Sequence, residues 1–318
     1  MRWKHIKTVM IAILLVVNVW LISLLVSRYR AQTYLDSDLL QNTVEILARD
    51  EIYLTVDQLD ARRRDADVYA AEMSDDYFEQ LAGIFTTSSI TEVFPTPTGM
   101  RFITESEETI SVSDGFDLTY VSAGASRETM ETLCAAIING GETAAVGSFS
   151  LRSLRETLDS LLSSTVSTGG NVAPAHAKLC FDAAWQRDGY TLIQCSQEMD
   201  GRKINGHTVL CLFDEGGTLL YLDGTWSFLS LVRNYSAQLY DQINILFMEK
   251  AALADLRASG EVEGAVTLES LSLCYILNTA AADDGGSMVY YSPAWRICYT
   301  DGSEHLYSAV TGETPAAQ

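Results

Sequence analysis

LCFDAAWQRDGYTLIQCSQEMDGRKINGHTVLCLFDEGGTLLYLDGTW, residues 179–226, decides the fold class. Apolar and β-branched runs alternate with RDG at 187–189, MDGRKINGH at 199–207 and DEGG at 214–217. Asp-Gly and Gly-Gly supply the positive φ angles that tight hairpin turns need, so the stretch predicts four successive antiparallel strands. The spacers are too short for the helical crossovers of a parallel sheet, which excludes a doubly wound arrangement here.

Downstream, 236–258 carries Leu239, Ile243, Leu246, Phe247, Leu253 and Leu256 at helical spacing. LSLCYIL (271–277), MVYYSPAWRICYT (288–300) and HLYSAV (305–310) then read as three closing strands. Upstream, STVSTGGNVAP at 164–174 is rich in Ser, Thr, Gly and Pro and marks a boundary. Before it, helical patterns at 127–139 and 150–163 follow four short alternating runs between 89 and 122, a small antiparallel sheet. Two earlier helices are expected at 36–48 and 75–84. Between them, the arginine triplet of ARRRDAD (61–67) reads as a solvated loop or helix face, with a docking patch for an acidic partner as the alternative.

Charge separates the chain into unequal parts. The 318 residues hold 21 Lys and Arg against 42 Asp and Glu, a net −21. Five of those basic residues (Arg2, Lys4, Lys7, Arg28, Arg30) and no acid lie in residues 1–30, leaving 16 basic against 42 acidic in the remainder, net −26. Such a polyanion is not a nucleic-acid binder, because phosphate contacts need clustered Lys and Arg.

Residues 9–26 read VMIAILLVVNVWLISLLV without a charge. As a helix these eighteen residues rise about 27 Å, close to the thickness of a bilayer core. The run ends in SRYRAQ rather than a small-residue cleavage site, so an uncleaved anchor is expected. Arg2, Lys4, Lys7 and the amino terminus outweigh Arg28 and Arg30, which predicts a cytoplasmic amino terminus and an extracellular bulk. Asn18 sits in mid-span, where an amide needs a partner from another helix, a second copy or water. Asn18, with Trp20 and Ser23, is therefore a candidate partner-contact set. The expected architecture is α+β: a single N-terminal transmembrane helix in residues 1–30, then two α+β regions with antiparallel sheets at 31–165 and 175–318.

Catalytic constellations are not evident. Cys134, Cys180, Cys195, Cys211, Cys274 and Cys298 lie no closer than fifteen residues apart and mostly within apolar strands, so buried free thiols are expected, with one or two disulfides as the alternative that spacing alone leaves open. A structural zinc site would begin with a close Cys pair, and none exists. His176, His207 and His305 are scattered, without a nucleophile elbow or a metalloprotease motif. Asp75-Asp76, Glu107-Glu108 and Asp283-Asp284 read as solvated pairs. The expectation is a protein that is not an enzyme and uses no cofactor or metal.

Three places carry a family resemblance. The opening has Trp3, Ile6, Lys7 and Thr8 ahead of a span containing Asn18; the central stretch has Gln197, Gly201 and Ile204; the ending has Pro293, Trp295, Arg296 and Ile297, then Tyr307, Thr311, Gly312 and Glu313. In this combination and order the chain resembles the YycI family, also called WalI, and its ending resembles PepSY-like modules. The resemblance implies a bitopic, non-enzymatic accessory regulator of a cell-wall sensor histidine kinase of Gram-positive bacteria. Its implied partners are that kinase and a YycH-like membrane protein, through transmembrane and extracytoplasmic contacts. The PepSY likeness leaves an alternative: a binding or inhibitory module for an extracytoplasmic peptidase or peptide ligand, taken as an added strand near 190–222 or 291–299.

Overall fold

The computed structural model describes residues 10, 14–26, 34–60, 62, 65–73, 76–86, 88–144, 151–164, 178–229, 231–281 and 287–315. In chain order the first elements are α1 (14–26), α2 (Ser37–Arg49), β1 (Ile52–Tyr53), β2 (Asp65–Met73), α3 (Tyr77–Phe85), β3 (Ile90–Thr96), β4 (Gly99–Thr104), β5 (Thr109–Ser113) and β6 (Asp117–Val121). They are followed by α4 (Arg127–Gly140), β7 (Glu142–Thr143), α5 (Arg152–Leu162), β8 (Lys178–Arg187), β9 (Tyr190–Met199), β10 (Arg202–Phe213) and β11 (Leu219–Thr225). The last are β12 (Val232–Gln238), α6 (Gln242–Ser259), β13 (Val266–Ala281), β14 (Ser287–Tyr299) and β15 (Glu304–Ser308). The fold is mixed α+β, and its strand pairing is dominated by antiparallel ladders.

Two compact units divide the chain, each drawing on distant segments. One comprises Asp67–Tyr235 and Cys274–Pro293, the other Met1–Ala66, Ser236–Leu273 and Ala294–Gln318. They cut across the linear division at 165–175.

The first unit is built on the hairpins read from 179–226. Arg187 pairs with Tyr190 and Met199 with Arg202, leaving two-residue turns at Asp188-Gly189 (φ 50° and 83°) and Asp200-Gly201 (φ 52° and 70°). Both residues of each turn have positive φ, the primed geometry that suits the twist of a hairpin. The Asn205-Gly206 pair makes no turn. It falls where the register of β10 against β9 shifts, between Lys203 and Thr208, and β10 runs on through it.

β9 is buried along nearly its whole length because both faces are covered. On one face Leu192, Leu212, Tyr221 and Val121 pack with Cys134 and Ile137 of α4. On the other, Ile193, Cys195, Val209, Cys211 and Phe213 join a core with Tyr77 and Leu81 of α3 and Leu154, Leu158 and Leu162 of α5. Successive residues point to opposite faces of a strand, so one strand serves both layers. Each large apolar side chain so enclosed contributes roughly 1.5–3 kcal/mol.

In the second unit, α2 and α6 share a core with β14. Leu40 and Leu47 meet Ile243, Leu246, Leu253, Trp295, Ile297 and Tyr299. α6 begins at Gln242 rather than at 236: Asp241 caps it by accepting the Asn244 N–H at 3.0 Å, and 236–238 belong to strand β12. It stops at Gly260, whose φ of 80° gives the left-handed cap favoured by glycine.

Candidate functional site

α1 differs from the other helices in having no buried residue and nothing packed on it among the described residues. α2 to α6 each bury a set of side chains. Every residue from Leu14 to Val26 is exposed, Leu14 at 63%, Val16 at 68% and Leu25 at 67%. These thirteen helical residues rise about 20 Å, and among the described residues no helix is long and apolar enough to cross a membrane. Trp3 and Lys7 lie outside the described residues. Asn18, Trp20 and Ser23 are described but do not share a face. At about 100° per residue, Trp20 and Ser23 stand about 60° apart and roughly 140–160° from Asn18.

The family-motif residues of the body occupy separate places, and each has a structural task. Gln197 is buried and ties three groups together: its Nε2 donates to the Ser227 carbonyl at 2.7 Å, while its Oε1 accepts the Ser227 N–H at 3.2 Å and the His207 Nδ1–H at 2.8 Å. His207 stacks edge-on to Tyr291, and burial pushes its imidazole down to about 4 against a weak opposing pull from Asp117. A neutral imidazole in that position orders its neighbours and is a poor general base at pH 7. Gly201 completes the turn described above. That turn is held from the side by Asp200, whose carboxylate accepts the Tyr69 and Tyr275 hydroxyls at 2.6 and 3.3 Å.

Pro293 lies between the stretch of β14 that pairs with β2 (Ser287–Tyr291) and the stretch that pairs with β15 (Ala294–Cys298), where its missing N–H matters least. The Trp295 indole N–H donates to the Tyr240 carbonyl at 2.8 Å. Arg296 pairs with Glu304 at 3.8 Å. Gly312, at φ 78°, donates its N–H to the Ser308 carbonyl at 2.8 Å.

Two polar clusters escaped the sequence reading. Glu249 is fully buried on α6, accepting the Tyr299 hydroxyl and the His305 Nδ1–H, the latter at 2.9 Å. The signal was present: Gln242, Leu246, Glu249 and Leu253 recur at spacings of four and three, so the acid stands within the stripe that α6 buries. Glu108, read as half of a solvated pair, is half-buried and accepts hydroxyls from Thr86, Ser106, Thr104 and Tyr120 at 2.6 to 3.2 Å. Burial alone would raise its pKa, but the four hydroxyls together hold it below the ordinary value.

All six cysteines are free thiols, with Cys134, Cys195, Cys211 and Cys274 buried. Burial raises Cys134 to about 11 and Cys195 to about 12, leaving almost no thiolate for nucleophilic work near neutrality. An open cleft of about 710 Å³ is bordered by Glu142, Arg187, Asp188, Tyr190, Asp214 and Glu215. Arg187 is already engaged there, donating to the Ala136 carbonyl at 2.8 Å and to Asp188 at 3.2 Å. Among the described residues no group of three or more His, Cys, Asp or Glu could hold a metal ion.

Strands near 190–222 and 291–299 do not offer the free edges expected for peptide addition. β9 lies between β8 and β10, β10 and β11 are paired on both sides, and β14 lies among β13, β2 and β15. A free edge falls instead at β3, whose seven residues are all exposed and which contains Pro95.

No family model matches the chain, and no curated protein matches it. Among solved structures, the chain is similar to the crystal structure of an uncharacterized protein from Eubacterium rectale ATCC 33656, with 11% sequence identity over 82% of this chain and 88% of that one and a TM-score of 0.47.

Proposed function

We propose that the chain is a membrane-anchored, extracytoplasmic accessory regulator of a cell-wall sensor histidine kinase, acting by contact through its anchor helix and its α+β body together with a YycH-like companion. The observation that carries the reading is α1, exposed along its whole length, predominantly apolar and without a packing partner among the described residues, inside an uncharged run that extends in sequence from Val9 to Val26. A helix hydrophobic all round belongs in lipid or in a core, and no core encloses this one among the described residues. Support also comes from the body, where His207 and Cys195 are held in protonation states that suit packing rather than turnover.

Crosslinking the full-length protein in its own membranes, followed by identification of what it carries, tests the reading. A histidine kinase and a YycH-like protein are expected. A protein that resists alkaline carbonate extraction yet captures neither would overturn the kinase assignment, and release into the carbonate supernatant would overturn the anchor. β3 favours a second reading, a peptide-binding module that adds a strand at that edge, with Val93 and Phe94 exposed upon it. Saturable peptide binding lost on Val93→Pro would support it.

A further inference from the structure

Leu14, Asn18, Leu21 and Leu25 follow one another in α1 at spacings of four, three and four. Those are the a and d positions of a left-handed helix pair, with Asn18 at an a position. At about 100° per residue the four fall within an arc of about 60°, forming one narrow seam. All four are exposed, Leu21 at 45%. In sequence the same spacing runs back to Ile11.

A lone amide in such a seam has a specific requirement. It carries both a donor and an acceptor, so it is satisfied when the facing helix presents the same group at the same height. Two copies of this chain necessarily cross a bilayer in the same direction, which places a opposite a and Asn18 opposite Asn18 in a single register. Sliding the helices by one turn would set each amide against leucine, unpaired and in hydrocarbon, so the same residue that joins the pair also rejects other alignments.

The geometry points to a parallel pair of α1 helices from two copies of this chain, seamed along Leu14, Asn18, Leu21 and Leu25, with the Asn18 amides hydrogen-bonded to each other. The pairing rests on the membrane-anchor reading and names the partner of its Asn18 site. Trp20 and Ser23 then face away from the seam and stay open to lipid or to a kinase helix. The acidic bodies supply no attraction of their own, since like charges repel weakly at the Debye length of about 8 Å in physiological salt.

The test uses two differently tagged full-length copies in native membranes, with a photoreactive benzoylphenylalanine at position 21, on the seam, or at position 16, on the opposite face. A product of twice the chain mass carrying both tags is expected from position 21 and not from position 16. Asn18→Leu should lower its yield about three- to thirtyfold, the ratio an interhelical amide hydrogen bond confers, while Asn18→Gln retains most of it. Equal yields from both positions, a yield unchanged by Asn18→Leu, or position-21 products containing only a different protein would overturn the pairing. If self-capture fails while the protein stays in carbonate-washed membranes, the pairing alone is lost. Release into the carbonate supernatant removes the anchor reading and the pairing with it.

Discussion

Gln197 joins β9, β10 and the segment that follows β11, and the histidine it holds makes stability depend on pH. His207 has a folded value of about 4, below the ordinary 6.5 of an imidazole. Between those two pH values the unfolded chain binds a proton that the folded chain refuses. The contribution is therefore complete above pH 6.5 and is lost as pH falls from 6.5 towards 4. At pH 4.5 the loss is on the order of 2 to 3 kcal/mol. Chemical denaturation at pH 7 and pH 4.5 checks this: His207→Asn should shrink the difference between the two midpoints, and an undiminished difference would place the dependence elsewhere. Glycine is required nearby for a different reason. Gly201 has open space where a side chain would go, so Gly201→Ala meets only the strain of φ 70° and should cost about 1–2 kcal/mol in the same assay. The motif residues Gln197 and Trp295 were visible in the sequence, yet their partners were not. Ser227 and Tyr240 act through backbone groups brought in by the fold, and a backbone N–H or carbonyl leaves no mark in the sequence.

Elements whose side chains repeat with a clear period were legible, and those defined by their neighbours were not. α2 is one of the legible ones: Asp36 at its cap accepts the Asp38 N–H at 3.0 Å, and its stripe of Leu40, Thr43 and Leu47 recurs at helical spacing. The hairpins from β8 to β11 were equally plain, because Asp-Gly encodes its turn locally. β2 was missed because DADVYAAEM contains Ala, Glu and Met, which suit a helix, and it becomes a strand by pairing Tyr69, Ala70 and Ala71 with Tyr291, Tyr290 and Val289 of β14. The last three residues of β12, 236–238, read as the start of the following helix, because the apolar spacing from Leu239 onward continues smoothly into it and only the Asp241 cap marks the true start. α1 is the element on which the proposed function turns, and its prediction is direct. A charge at the centre of a membrane helix costs about 2.5–3.5 kcal/mol, so Val17→Arg combined with Leu21→Arg should move the protein from the carbonate-resistant membrane to the supernatant. Western analysis of the two fractions reads the result, and a double variant that stays in the membrane would show that α1 is not the anchor.

At the scale of the whole molecule, each compact unit combines segments that are separated in sequence, and the thiols divide unevenly between them, Cys298 in one and the remaining five in the other. Under the proposed extracytoplasmic placement, six free cysteines have to resist oxidation without disulfides, and burial accomplishes this in two ways. It denies access, and it favours the neutral thiol, raising Cys134 and Cys195 to about 11 and about 12 and Cys211 well above its usual value. Thiolate is the species that attacks oxidants and disulfides, so at pH 7 these groups react at a small fraction of the ordinary rate. Cys180 and Cys298 are half-buried and lack full protection. A membrane-impermeant maleimide added to intact cells should therefore modify Cys180 and Cys298 first, leaving Cys134, Cys195, Cys211 and Cys274 unmodified until the protein is denatured. Peptide mapping by mass spectrometry distinguishes the two sets. The measurement also reads orientation: with the body outside, the two half-buried thiols are labelled without breaking the cells, whereas labelling only after lysis would reverse the proposed topology while leaving the order of reactivity intact. Early modification of Cys195 or Cys211 would instead show that the layers enclosing β9 and β10 open in the native protein.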